Sequence, residues 1–157
     1  MSEAIVHSTS KMTAEDVAAI ATYLKDSGAG RAGSRPGPVA ADDRTMRAGA
    51  AIYKDSCAAC HKDSGLGERN LFPRLAGSAL VQSDDATTLL RVVLQGTRAV
   101  STAAKPTAPA MPAFDWRLDD AQVASVLTYI RNSWGNEAAP VTAGAAADKR
   151  AALAKSP

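Results

Sequence analysis

The chemistry in this sequence is concentrated at Cys57-Ala58-Ala59-Cys60-His61, a C-x-x-C-H run that takes up both cysteines and one of the two histidines. Two thiols three positions apart, on a helix end and turn, can reach the two vinyl groups on one edge of a porphyrin. Thioether bonds to Cys57 and Cys60 then fix the ring, and His61 lies under the iron as its proximal ligand. Two other chemistries use paired cysteines. A zinc site needs a second ligand pair, but the only other histidine is His7 and there is no third cysteine. A dithiol redox pair belongs in a βαβ setting, and no such pattern surrounds these residues. The spacing therefore points to one covalently bound haem c.

An iron that transfers electrons takes its sixth ligand from the protein, because an open position binds small molecules instead. Met111 is the candidate. It lies 50 residues beyond His61, within Ala110-Met111-Pro112-Ala113-Phe114, where flanking prolines restrict the backbone. Met12 and Met46 fall on helical faces and read as packing residues, and His7 as a solvent-facing side chain.

These groups have to be positioned by a short chain with few aromatics. Seven of 157 residues are aromatic, sparse for a self-sufficient core. Residues 42–137 hold six of the seven and almost everything that can pack. Apolar periodicity there predicts three helices and no strands. The first runs from an N-cap at Asp42 or Asp43 to about Asp55, with Met46, Gly49, Ala50 and Tyr53 on one face. The second covers Asp85 to Gln95 and ends at Gly96, a C-cap glycine. The third starts at Asp119, with Gln122 at capping-box spacing and Val123, Val126, Leu127 and Ile130 as its stripe. Long loops, about 61–83 and 97–117, join them, and loops of that length in a small domain carry function or wrap a ligand. Three helices and such loops make a poor core alone; a large buried prosthetic group mends it. The expected fold class is all-α.

Around this domain, 28–41 reads as a Gly/Pro linker. Ala138–Pro157, Ala-rich with only Val141 and Leu153 as large apolar residues, reads as a mobile or weakly helical tail. The first 27 residues hold a repeat. Lys11–Ser27 (KMTAEDVAAIATYLKDS) aligns without a gap on Arg117–Ser133 (RLDDAQVASVLTYIRNS). Residues 1–27 thus read as a helical segment from the end of a preceding, homologous domain. The net charge of +2, scattered along the chain, excludes a strongly electrostatic nucleic-acid binder. No apolar run approaches a membrane span, and the Met-Ser-Glu start lacks the basic and apolar regions of a signal peptide.

From about Arg44 to Asn136 the chain resembles the class I cytochrome c fold. More narrowly, it resembles the last haem domain of the triple-haem cytochrome subunits of bacterial membrane-bound dehydrogenases. The stretches that carry the resemblance are GAAIYKDSCAACH (49–61), LFPRLAGS (71–78), LLRVVLQG (89–96), MPAF (111–114) and VASVLTYIRNSWGN (123–136). It implies three main helices and long loops wrapped around one haem, and close crossing of the first and last helices, with Gly49 and Tyr53 meeting Val126, Tyr129 or Ile130. It places the Pro73 carbonyl against the imidazole N–H of His61 and Leu75 against the haem, with Arg91 and Arg98 as candidate partners of the propionates. It implies an electron-transfer protein rather than an enzyme. Its redox partners would be a dehydrogenase subunit, neighbouring cytochrome domains, a quinone or an oxidase. The different-class alternative is a ligand-binding sensor or peroxidase-type domain with a displaceable sixth ligand. Covalent haem attachment places such a bacterial protein in the periplasm, with membrane association only through partners or through chain outside this sequence. On this resemblance Met1 occupies either the axial-methionine position of the preceding domain or that of an initiator methionine.

Overall fold

The computed structural model describes residues 2–27 and 37–155; Met1, residues 28–36 of the expected linker and the last two residues lie outside the described residues. The elements in order are α1 (Ser2–His7), a 3₁₀ turn, α2 (Ala14–Asp26), α3 (Arg44–Ser56), α4 (Ala58–His61), α5 (Thr87–Gln95), β1 (Thr97–Arg98), β2 (Ala110–Met111), α6 (Asp120–Arg131) and α7 (Ala143–Ala154). The fold is all-α apart from one two-residue antiparallel ribbon that pairs Thr97 with Met111 and Arg98 with Ala110.

Local chemistry sets the helix starts. Asp43 caps α3 through the Thr45 N–H at 2.7 Å. Asp119 opens α6 with a capping box: the Gln122 N–H donates to Asp119 at 2.8 Å, and the Asp119 N–H donates to the Gln122 side chain at 2.9 Å. Asp85 caps from one position further out, accepting the Thr87 N–H at 2.8 Å, so α5 begins two residues later than its apolar pattern suggests.

Packing then joins the helices. The largest helix–helix interface lies between α3 and α6, which cross at Gly49; a Cβ there would collide with the Ser125 carbonyl and lie 2.6 Å from Tyr129 Cβ. Beside the crossing, the Tyr53 ring sits 5.4 Å from Tyr129 and 5.0 Å from Trp134, and its hydroxyl donates to the Lys62 carbonyl at 2.6 Å. Burial pushes the Tyr53 phenol well above its ordinary pKa, so it remains a donor. Leu90, Val93 and Leu94 of α5 and Val123, Val126 and Leu127 of α6 form the centre of the core.

The C-terminal segment is not a mobile tail. Residues 138–141 run back along α6, and α7 packs on both α5 and α6. Two side chains of α6, Thr128 and Arg131, and its C-cap Asn132 hold this strap. Arg131 donates to the Ala139 carbonyl at 2.8 Å and to the Val81 carbonyl at 2.9 Å. Asn132 donates to the Ala138 carbonyl at 3.1 Å, and the Thr128 hydroxyl accepts the Val141 N–H at 3.0 Å. The composition misleads because α7 docks through small residues: Ala146 is wholly buried, and its methyl allows a close approach that a large side chain would prevent. The linker boundary also moves, since the Val39 N–H donates to Asn132 Oδ1 at 3.0 Å and joins the domain.

α2 repeats the local chemistry of α6. Its capping box pairs Thr13 with Asp16, the positions that align with Asp119 and Gln122. Its surroundings differ. Val17, Ile20 and Leu24, which align with buried Val123, Val126 and Ile130, are 49%, 45% and 50% exposed.

Candidate haem site

His61 ends α4, the single turn after α3, and is buried. Its Nδ1 lies 3.0 Å from the Pro73 carbonyl oxygen. A carbonyl can only accept, so Nδ1 carries the proton and Nε2 is left as the coordinating nitrogen. Around His61 the backbone folds back on itself: the Gly67 N–H donates to the His61 carbonyl at 2.9 Å, and the Leu75 N–H to the Gly65 carbonyl at 2.7 Å. These bonds keep Pro73 and Leu75 beside the ring.

Cys57, Cys60, His61, Pro73, Leu75, Arg98 and Met111 all line one cavity of about 320 Å³. The rest of its wall is mostly apolar side chains of α5, α6 and the long loops, including Val93, Phe114, Leu127 and Ile130. Of the candidate haem-binding residues, Arg91 alone does not reach it. Arg91 is exposed on α5, where its Nε–H donates to Gln95 Oε1 at 3.3 Å. Arg74 lines the cavity in its place, with its Nε–H on the Ala76 carbonyl at 2.8 Å.

The donor set fits a covalently bound haem. Two thiols and an imidazole with its Nε2 available stand on one side of an apolar cavity that also presents a thioether. Burial, with the neighbouring Cys60 and Asp55, pushes the Cys57 thiol up to about 11. Burial thus favours the protonated thiol over the thiolate at Cys57. Among the described residues no group of three or more His, Cys, Asp or Glu side chains could hold a metal ion alone.

Met111 is held from both sides. On one, the ribbon pairs it with Thr97, and Gly96 at φ 71° lets the chain come close: a Cβ at Gly96 would lie 2.5 Å from the Met111 carbonyl oxygen and 2.8 Å from the Ala113 nitrogen. On the other, the Phe114 N–H donates to the Val93 carbonyl at 3.0 Å, so the loop is tied to α5.

Sequence reasoning missed Asn136, which is buried after α6. Its Oδ1 accepts the Gly77 N–H at 2.9 Å, and its Nδ2 donates to the Leu75 and Ile130 carbonyls at 3.1 and 2.9 Å. It thereby ties the Leu75 loop to the end of α6. The signal was available: a polar side chain following an apolar helix, in a stretch that itself carries the resemblance.

An all-α shell around an apolar cavity, with a C-x-x-C-H run and a distal thioether in its wall, defines a haem-binding domain of the class I cytochrome type. The cytochrome c family model matches residues 46–134, and the chain belongs to that family. It is 42% identical to the gluconate 2-dehydrogenase cytochrome c subunit of Pantoea cypripedii over 91% of this chain and 34% of the relative. It is 35% identical to the cytochrome c subunit of the quinone alcohol dehydrogenase of Gluconobacter oxydans over 88% of this chain and 30% of the relative. Against the fructose dehydrogenase cytochrome subunit of Gluconobacter japonicus the identity is 30%, over 96% of this chain and 36% of the relative. The chain thus spans about a third of the length of these three relatives.

The close approach at Gly96 makes a specific demand. Gly96→Ala places a side chain at a positive φ and against the backbone of Met111–Ala113, and is expected to cost about 1–3 kcal/mol in urea unfolding. Unchanged stability would contradict the approach described.

Proposed function

We propose that this chain holds one haem c and works as a one-electron carrier, with thioether bonds from Cys57 and Cys60 and axial ligation by His61 and Met111. The observation that carries this reading is the convergence of all four side chains on a single apolar cavity. The haem supplies an iron that gains or loses one electron without changing its ligands. The chain's own residues do the rest. Pro73 holds the His61 tautomer and raises its basicity as a ligand. Leu75 and the apolar walls limit water at the site. Met111 would take the sixth position, which favours electron transfer over the sensor or peroxidase-type alternative. Arg98 and Arg74, which line the cavity where Arg91 does not, would meet the propionates.

The relatives' names support a place in a dehydrogenase complex. On that reading the electron comes from a dehydrogenase subunit or a neighbouring haem domain and passes to a further cytochrome, a quinone or an oxidase. Residues 44–137 carry 11 basic and 9 acidic side chains, so recognition rests on local contacts rather than on a broad charged face. Covalent haem attachment favours the periplasm. No helix among the described residues is long and apolar enough to cross a membrane, so membrane association would come through partners or through other parts of a longer chain.

Residues 1–27 fit the last helix of a preceding domain of the same kind. The gapless repeat, the shared capping box and the exposed Val17, Ile20 and Leu24 stripe support this, as does the greater length of the relatives. Deleting residues 1–38 is expected to leave the haem spectrum and potential unchanged and to reduce self-association, because the stripe is removed. Loss of the Met111–iron bond on that deletion would show the segment to be part of the haem domain.

Ligation has its own test. Met111→Ala is expected to abolish the weak charge-transfer band of the methionine–ferric bond at the red end of the spectrum and to lower the potential. An unchanged band would place the ligand elsewhere.

A further inference from the structure

α7 lies beyond the segment that the family model matches, and one of its side chains reaches toward the loop that carries Met111. Arg150, about two-thirds buried, makes three hydrogen bonds with one guanidinium. Nη1 donates to the Asp115 carbonyl at 2.6 Å, Nη2 to the Leu118 carbonyl at 2.7 Å, and Nε to Asp120 Oδ1 at 2.8 Å. Asp115 and Leu118 belong to the stretch joining Met111 to α6, and Asp120 opens α6. A planar guanidinium held on three oxygens fixes direction as well as distance, which a flexible ammonium cannot do.

We infer that α7 is a brace for the sixth ligand and that Arg150 is its positioning residue, setting how readily Met111 leaves the iron. The inference rests on the reading of Met111 as that ligand. Between Met111 and α6, the backbone is tied to α5 at one point, the Phe114 N–H on the Val93 carbonyl. Turn bonds from the Arg117 and Leu118 N–H groups to the Phe114 carbonyl close the loop only on itself. Arg150 supplies the anchor at the far end. It takes up two backbone carbonyls of the loop and fastens them to the carboxylate of Asp120, on a helix whose first turn favours negative charge. The anchor is itself rigid, because α7 is capped by Thr142, packed through Ala146 and held to α6 by the strap at 138–141. Without it, Asp115–Leu118 keeps its fold and the exposed Arg117–Asp55 ion pair to α3, but loses the anchor on its backbone carbonyls. The loop then visits conformations in which the thioether is off the iron.

Imidazole added to the ferric holoprotein measures this directly. It binds only where Met111 has left, so its apparent affinity reports the population of the open state. Arg150→Met is expected to raise that affinity about tenfold over the parent, as charge-assisted hydrogen bonds are lost. Arg150→Lys, which keeps the charge but not the three-point geometry, is expected to fall between the two. It carries the test if the methionine variant yields no holoprotein. Met46→Ala, which empties a buried position on α3 outside the cavity wall, is expected to lower the melting temperature with imidazole affinity unchanged. Equal imidazole affinity in the parent and the Arg150 variants, with the methionine–ferric band present in the parent, would overturn the brace alone. A rise in Met46→Ala matching that of the Arg150 variants would also overturn it, as a general effect of lost stability. A parent protein without that band would overturn the ligation reading itself.

Discussion

Helices α3 and α6 can cross as closely as they do only because position 49 has no side chain. The Ser125 carbonyl and Tyr129 Cβ occupy the space a Cβ would need. From that crossing the rest of the domain follows. It directs the end of α3 into Cys57, Cys60 and His61 and sets Leu127 and Ile130 of α6 in the wall of the same cavity. The Tyr53, Tyr129 and Trp134 rings, with centroids 5.0–5.6 Å apart, fill the corner beside it. Offset aromatic packing of this kind adds to simple burial. The Tyr53 hydroxyl then reaches the carbonyl of Lys62, the residue after His61, so one interaction connects the helix crossing to the imidazole.

The cavity is the other half of the same design. A domain with seven aromatics in the whole chain has little bulk to place at its centre. Its apolar side chains line a space instead of filling it. A porphyrin seated there would supply dispersion contacts along the whole lining. Three polar side chains outside the cavity wall bond to backbone: Asn136 to the Leu75 loop, Arg131 to the strap and the Val81 carbonyl, Arg150 to the loop after Met111. Each ties a loop to a helix, which long loops in a small fold require.

The candidate site was legible in the sequence because the chemistry proposed for it is written in residue types. Cys57, Cys60 and His61 are adjacent, and Met111 stands out between prolines. The helices were legible where capping and apolar period coincide, as at Asp43 and Asp119. What escaped depends on contacts between distant segments. α7 has almost no large apolar residue, and its docking through Ala146 and Arg150 is visible only once α5 and α6 are in place. Arg91 shows the converse. It directly precedes Val92 and Val93, both in the cavity wall, but helical rotation turns it outward. A charge count cannot distinguish it from Arg74, which a loop turns inward. The Thr97–Met111 ribbon is too short for any strand pattern to reveal it.

The most direct measurement is the intact mass of the denatured protein, produced in cells able to attach haem c and extracted with acid-acetone. A mass equal to the polypeptide plus one haem, with the colour retained by the protein, is the result that covalent attachment at Cys57 and Cys60 requires. A mass equal to the bare polypeptide, with haem recovered in the organic phase, would contradict it. The cavity would then hold a dissociable haem, and the adjacent cysteines would serve another purpose.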